Sequence, residues 1–205
     1  RPSVFTGWKL PGDLRARSLA LRAAELVYQR FNATAGVIQA WGDLNDPARQ
    51  GRMIIDCNLN IPLLFWAADE TGNAAWREAA TRHLAQAARY LVREDASSFH
   101  TFYMDVRSGQ PLRGDTHQGF SDNSCWARGQ AWGIYGFALG FRHTGAAAQP
   151  ELARKLAHYF LNRLPVDFVC HRHLAFSPQD NAMRDNFAAP AAACGLPHLS
   201  PLLRF

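Results

Sequence analysis

Apolar positions recur every three or four residues over residues 13–30 (Leu14, Leu19, Leu21, Ala24, Leu26, Val27, then Phe31). Arg and Glu fill the gaps between them. This pattern predicts an amphipathic helix, with Asp13 as its N-cap after Pro11-Gly12. Residues 32–53 lose the helical period and predict a loop, holding one short extended piece at residues 36–42. A second helix is expected from near Asp56 to Thr71, with Pro62 a blemish in its first turns and Gly72-Asn73 as its breaker. The third spans residues 74–92, patterned on Trp76, Ala80, Leu84, Ala87, Ala88 and Leu91. Residues 93–121 read as a long loop. The fourth helix starts at residues 122–124, runs to His143 and is apolar on most sides, which predicts burial. After Thr144-Gly145 a fifth covers residues 150–163. A third long loop reaches Arg184, and a final helix starts near Asp185, with Pro190 inside it and Gly195-Leu196-Pro197 ending it early.

Breakers of one kind recur between these helices: Leu10-Pro11-Gly12-Asp13, Glu70-Thr71-Gly72-Asn73 and His143-Thr144-Gly145-Ala146. They mark a weak repeat of helical hairpins. Connections alternate short and long, and buried helices alternate with amphipathic ones. Antiparallel helices stacked this way put every short turn at one end and every long loop at the other. The expectation is an all-α chain, residues 1–205 forming one domain, with its helices arranged as an α/α toroid. A site belongs on the long-loop face.

Composition narrows the function. The chain is 48% hydrophobic with six Trp and thirteen Phe, which supports a sizeable core. The net charge of +5 comes almost wholly from scattered Arg, because Lys9 and Lys155 are the only lysines. A nucleic-acid partner calls for a basic stripe, and a membrane span for about 18 apolar residues in a row; neither is present in the sequence. Cys57, Cys125, Cys170 and Cys194 show no CxxC spacing. They read as small, buried and reduced residues in a cytoplasmic setting. Cys170-His171-Arg172-His173 lacks the second ligand cluster that a metal clip needs.

The ends of the long loops gather a particular chemistry. Gln39, Trp41 and Asp56 come from the first. His100, Thr101, Phe102, Tyr103, His117, Gln118 and Asp122 come from the second, followed by Trp126, Arg128, Gln130 and Trp132. Aromatic rings stack on the apolar faces of sugars, while carboxylate, amide and guanidinium groups bond their hydroxyls. Arg or His can hold a uronic carboxylate. Asp56 lies between Ile54-Ile55 and a long apolar run. It is either a helix N-cap or an acid held in a dry place, whose raised pKa suits a proton donor. Asp122 reads as the better pure N-cap. Arg128 sits in an apolar helix and needs an anionic partner there, either Asp122 or a substrate. Trp66 and Trp76 read as core, and His83, His143 and His158 as residues of helix bodies.

Several motifs carry a family resemblance. They are Ile38-Gln39-Ala40-Trp41-Gly42, Ile54-Ile55-Asp56-Cys57 with Asn60-Ile61-Pro62-Leu63-Leu64, Ser97-Ser98-Phe99-His100-Thr101-Phe102-Tyr103, Thr116-His117-Gln118-Gly119, and Trp126-Ala127-Arg128-Gly129-Gln130-Ala131-Trp132-Gly133-Ile134-Tyr135-Gly136-Phe137. In this order, between residues 8 and 163, they resemble the unsaturated glucuronyl hydrolases of glycoside hydrolase family 88. The resemblance implies an (α/α)6 barrel, incomplete over residues 1–205 with about six of its twelve helices present, acting on lyase-generated oligosaccharides that end in a 4,5-unsaturated uronic acid. It implies hydration of the C4=C5 enol ether, with Asp56 as acid/base, and it needs no metal or nucleotide cofactor. It places His100, Gln118, Arg128 and Trp132 at substrate-contacting positions, and Trp41 at an aromatic near the site.

The same resemblance marks departures. A second essential Asp, in a His-Asp-x-Gly-Phe stretch, is expected upstream of Arg1, so the 205 residues alone are expected to turn over little or nothing. Where members read Trp-Asp-Phe this chain has His173-Leu174-Ala175-Phe176, and Arg-Asp-Ser-Ser becomes Arg184-Asp185-Asn186-Phe187. These changes keep open a second reading, a degenerate, non-catalytic carbohydrate-binding paralogue. Protein-partner scaffolding is the third.

Overall fold

The computed structural model describes residues 13–175 and 183–199. The Pro11-Gly12 part of the first breaker, Phe176 and the apolar ends of the chain lie outside these residues. Six α-helices appear among them: α1 (Leu14–Tyr28), α2 (Ile61–Thr71), α3 (Ala74–Tyr90), α4 (Ala127–Thr144), α5 (Ala148–Leu161) and α6 (Ala188–Leu199). They form a partial (α/α)6 toroid. The more apolar α2 and α4 supply Leu64, Phe65, Ile134 and Phe137 to the core, all fully buried. The amphipathic α1, α3 and α5 pack outside them through one face each, Ala16, Ala20 and Ala24 in the case of α1. A fully buried Leu, Ile or Phe side chain contributes roughly 1.5–3 kcal/mol, and this burial, more than helix propensity, fixes the layers.

The two breakers within reach are alike. Gly72 (φ 72°) closes α2 and Gly145 (φ 66°) closes α4 in the left-handed conformation. Each N–H returns to a carbonyl four residues back, Ala68 and Phe141. The short connections are therefore two copies of one helical hairpin, α2–α3 and α4–α5.

The long loops are not structureless. In the first, β1 (Phe31–Asn32) pairs antiparallel with β2 (Val37–Ile38). Later in it, β3 (Arg52–Ile54) pairs with β4 (Thr101–Met104) of the second loop, which pairs in turn with β5 (Pro111–Asp115). The third loop joins through the isolated bridge of Trp126 to His173, and a second bridge, His171 to Arg184, closes that loop on itself. These long-range pairings bring all three loops to one end of the helices. Two side chains pin them, one buried and one half-buried. His83, fully buried on α3, accepts the Ile38 N–H through Nδ1 at 3.0 Å. Arg93 donates to Ser97 Oγ and to the carbonyls of Ser98, Asp122 and Ser124.

Gly51 sets the β3–β4 register. It sits at φ 67°, and an added Cβ would lie 1.9 Å from the Met104 carbonyl oxygen. Gly51→Ala should combine left-handed strain with a backbone clash, about 2 kcal/mol or more. Thermal unfolding should show it as a fall of about 4–8 °C in midpoint.

Two helix starts differ from the sequence reading. Asp56 does not open α2. It lies in a one-turn 3-10 helix, Ile55–Leu59, because the Ile55 N–H bonds the His100 carbonyl and carries the strand forward. Pro62 is accordingly no blemish: it stands in the first turn of α2, where no donor is lost. Asp122 does not cap α4. Residues 125–126 stay extended because Leu174 N bonds Cys125 O and Ala127 N bonds Arg172 O, so the N-cap is Trp126. The Asp122 carboxylate instead accepts the Thr116 N–H. Asp185 precedes α6 and accepts the N–H groups of Phe187 and Ala188, and Pro197 lies inside that helix. Cys57, Cys125 and Cys170 are buried, but Cys194 is exposed.

Candidate active site

Asp56 stands where β3 passes into the 3-10 turn, and the turn is laid directly on α4. Glycines make that approach possible. A Cβ at Gly129 would meet Trp126 and Ile55, at Gly133 Leu156 and Ile55, and at Gly136 the Asn58 Cβ at 2.4 Å. The Gly-rich face of α4 is therefore the seat of the turn that carries the acid. Asp56 is one-third exposed, yet its Oδ2 atom is buried with no hydrogen-bond partner among the described residues. Burial pushes its pKa from 3.8 up to about 6, against the opposing pull of its own backbone hydrogen bond and of the Arg128 charge.

His100 is buried beside it, with Nε2 3.8 Å from Asp56 Oδ2. The pair is not a salt bridge. Burial, with the nearby His117 and Arg52, pushes the His100 pKa down to about 4, so the ring is neutral at pH 7. Its tautomer follows from its neighbours. His117 N donates to His100 Nδ1 at 3.1 Å, and the Thr101 hydroxyl lies 2.8 Å from the same nitrogen. Nδ1 is thus the acceptor, and the proton resides on Nε2, on the Asp56 side. At 3.8 Å that N–H is too far for a hydrogen bond to the carboxylate, so both groups remain available to a third.

Trp41 completes the cluster. Its ring stacks over His100 at 6.1 Å between centroids and meets His117 at 5.3 Å. The Arg52 guanidinium lies 4.6 Å from its centre, and the Trp126 ring meets His100 edge-on at 5.2 Å. Gln39 does not join them. It is buried, and its amide ties down the Trp41 and Asp43 carbonyls, which makes it a support for Trp41. Gln130 is likewise structural, bonding the carbonyls of Ala96 and Leu156.

Arg128 extends the site along α4. Its partner among the described residues is Asp185, at 3.0 Å, and not Asp122. The exposed Gln118 and Arg128 line one cavity of about 200 Å³ together with Trp126 and Asp185. Trp132, one helical turn past Arg128, packs edge-on against Phe187. The structure thus gathers Asp56, His100 and Trp41 tightly, links Arg128 to them by charge and Gln118 through the shared cavity, and sets Trp132 at the far side of Arg128. Sequence reasoning missed Asp185, Arg52 and the packing role of Trp126. Asp185 left a trace, since a lone Arg in an apolar helix demands an acid from elsewhere; Arg52 left none.

Antiparallel helical hairpins whose long loops converge on one partly dry carboxylic acid, ringed by Trp, His, Arg and Gln, define an α/α-toroid of the carbohydrate-active kind. The particular family follows from comparison with known proteins. Residues 3–160 match the model for Glycosyl Hydrolase Family 88, and the chain belongs to that family. It is 47% identical over 194 residues to an unsaturated glucuronyl hydrolase of Bacillus sp. (strain GL1), an alignment covering 95% of this chain and 52% of that protein. It is 46% identical over 195 residues to an unsaturated chondroitin disaccharide hydrolase of Streptococcus pneumoniae (strain ATCC BAA-255 / R6), covering 95% and 49%. The crystal structure of the Bacillus sp. GL1 unsaturated glucuronyl hydrolase superposes with a TM-score of 0.95 at 46% identity, over 98% of this chain and 53% of that one. The chain spans about half the length of these relatives.

Proposed function

We propose that this chain carries the acid/base side of the active site of a hydrolase that releases a 4,5-unsaturated uronic acid from the non-reducing end of an oligosaccharide. The observation that carries the reading is Asp56 itself: a carboxyl with its pKa raised to about 6 and a buried oxygen left without a partner. Protonating an alkene carbon near neutral pH requires such an acid. The names of the relatives supply the substrate class, unsaturated glucuronyl and unsaturated chondroitin saccharides.

In this reading the Asp56 proton adds to C4 of the enol ether and a water oxygen adds to C5. Asp56 recovers its proton from that water. The hemiketal so formed at C5 opens and releases the neighbouring sugar. Each recognition group has work of its own. Neutral His100 offers its Nε2–H to a ring hydroxyl, and Trp41 offers a face for stacking. Gln118, Arg128 and Trp132 hold the uronate, with Arg128 supplying the charge for its carboxylate. No step is assigned to a metal or nucleotide. A second carboxylate from outside these 205 residues completes the site, so the isolated chain should show little or no turnover. A cytoplasmic setting belongs to the same reading, because all four cysteines are free and unpaired thiols fit a reducing compartment. Among the described residues no helix is long and apolar enough to cross a membrane.

The test is the ultraviolet absorbance of the unsaturated uronate during incubation of an unsaturated disaccharide with the complete gene product carrying this chain. Steady loss supports the reading. Measurable binding of both the saturated and the unsaturated disaccharide with no loss of absorbance would instead support the non-catalytic carbohydrate-binding paralogue.

A further inference from the structure

Trp41 stands on a loop, whereas Trp132 rides on α4. The backbone of that loop is well held. Arg30 donates through Nε to the Gln39 carbonyl at 2.7 Å and through a terminal nitrogen to the Gly42 carbonyl at 2.9 Å. The Ala40 N–H donates to the Arg52 carbonyl at 2.9 Å. These bonds fix the main chain on both sides of Trp41, and none of them acts on the indole. A loop-borne ring keeps its rotamer freedom unless something packs on it, so the orientation of this one has to come from elsewhere.

The β3–β4–β5 ribbon supplies it. Arg52 lies directly opposite Tyr103, and Tyr103 directly opposite Arg113. Opposed residues of antiparallel strands project on one face, so the three side chains form a row across the ribbon. The Tyr103 hydroxyl accepts the Arg52 Nε–H at 2.9 Å. Arg113 lies 4.2 Å from the Tyr103 ring centre and pairs with Asp115. Arg52 forms no ion pair among the described residues. Its half-buried guanidinium lies over the Trp41 ring, 4.6 Å from the centre. An indole face is the best aromatic partner for a cation, and a planar guanidinium stacks on it. The row therefore runs from Arg113 through Tyr103 and Arg52 to Trp41. It ends on His100, whose ring lies 29° from the plane of Trp41.

We infer that Arg52 is a positioning residue for the reaction: held by the Tyr103 hydroxyl, its guanidinium fixes the plane of the Trp41 ring, so that one set aromatic face meets the sugar beside His100. The inference rests on the proposed function for the sugar that Trp41 stacks on. The placing of the ring itself does not depend on that reading.

The experiment uses the complete gene product labelled with fluorotryptophan. In fluorine NMR, the line that Trp41→Phe removes belongs to Trp41. Without saccharide, that line should be single and sharp in the native protein, and shifted and broadened in Arg52→Gln. Tyr103→Phe, which keeps the ring and loses only the hydroxyl, should move it in the same direction by less. Kinetics on an unsaturated disaccharide supply the second readout. A stacking face that serves substrate and transition state alike changes KM and not kcat. Arg52→Gln should therefore raise KM about tenfold and Tyr103→Phe about threefold, with kcat within about twofold of native. In a Trp41→Ala background Arg52→Gln should raise KM no further, because it acts through that ring. Arg163→Gln loses a comparable guanidinium contact, with the Tyr159 ring at 3.5 Å just past α5, and should leave both readouts unchanged. A Trp41 line that does not move in Arg52→Gln overturns the inference. So do KM effects of Arg52→Gln and Trp41→Ala that multiply in the double variant, since Arg52 would then act without the ring. If the line moves as expected while no unsaturated disaccharide is turned over, the placing of Trp41 by Arg52 stands and the proposed hydrolysis fails.

Discussion

Asp56→Asn should slow turnover of an unsaturated disaccharide by roughly 100- to 10,000-fold, the range that a general acid/base supplies, and at the same time make the folded protein more stable at neutral pH. The two effects have one cause. Burial holds the Asp56 pKa at about 6 rather than 3.8, so the folded chain binds that proton more tightly than the unfolded chain does. The stability gained is fully present below the unfolded value and is lost as pH rises through about 6. Above that pH the native carboxylate is a buried charge that folding must tolerate. The raised pKa corresponds to roughly 3 kcal/mol at most. Solvent screening at a side chain 33% exposed reduces this to about 1–2 kcal/mol. A neutral isostere removes the penalty, so thermal unfolding at pH 8 should shift up by a few degrees in the variant and by much less at pH 5. The rate should follow the same titration: in the native protein, kcat/KM should fall as pH rises above about 6, where the acid form is lost. An Asp56 with no part in the chemistry would show the same stability change but no such limb in the rate.

Gly136→Ala should disable the site from a distance. Ala improves helix propensity over Gly by about 1 kcal/mol, and on an exposed helix face it would stabilise. Here the new methyl would lie 2.4 Å from the Asn58 Cβ and 3.2 Å from its backbone carbon. Neither is the flexible end of a side chain, so the 3-10 turn must move off α4. Overpacking of this kind typically costs about 1–3 kcal/mol, which outweighs the gain. Because Asp56 rides on that turn, a displacement of about 1 Å should reduce turnover on the order of 100-fold, with KM less affected than kcat. Gly133→Ala is the matched control. Its nearest new contacts are side-chain methyl groups of Leu156 and Ile55 at 3.3 and 3.4 Å, so it should keep both its fold and most of its rate.

These outcomes also separate what the sequence disclosed from what it hid. Helices α1, α3 and α5 were readable to within two or three residues, because an amphipathic helix at the outer layer writes its period into the chain and Gly72 and Gly145 punctuate it. The location of Asp56 in an apolar wall was readable for a similar reason, and the sugar-like chemistry of Trp41, His100 and Arg128 followed from residue types. Where the reading failed, a partner distant in sequence had overridden a local signal. Asp122-Asn123-Ser124 looks like a helix start, yet residues 171–174 hold Cys125 and Trp126 extended. Asp56 looks like a cap, yet the strand carrying His100 draws it into another backbone form. The β3–β4–β5 ribbon lay in a segment with no alternating pattern, since two of its strands leave most residues partly exposed. Asp185 could have been anticipated from the isolated charge of Arg128, but nothing local said which acid would answer it.

The most direct test follows the double-bond absorbance of an unsaturated uronyl disaccharide with the complete native gene product and with Asp56→Asn, both shown to be folded by their unfolding midpoints. The result expected is steady loss of absorbance in the native protein, with a rate at least about 100-fold lower in the variant and a midpoint equal to or above the native one. A folded variant that consumes the double bond at a rate close to native, or a folded native protein that leaves it intact, would contradict the assignment of Asp56 as the proton donor.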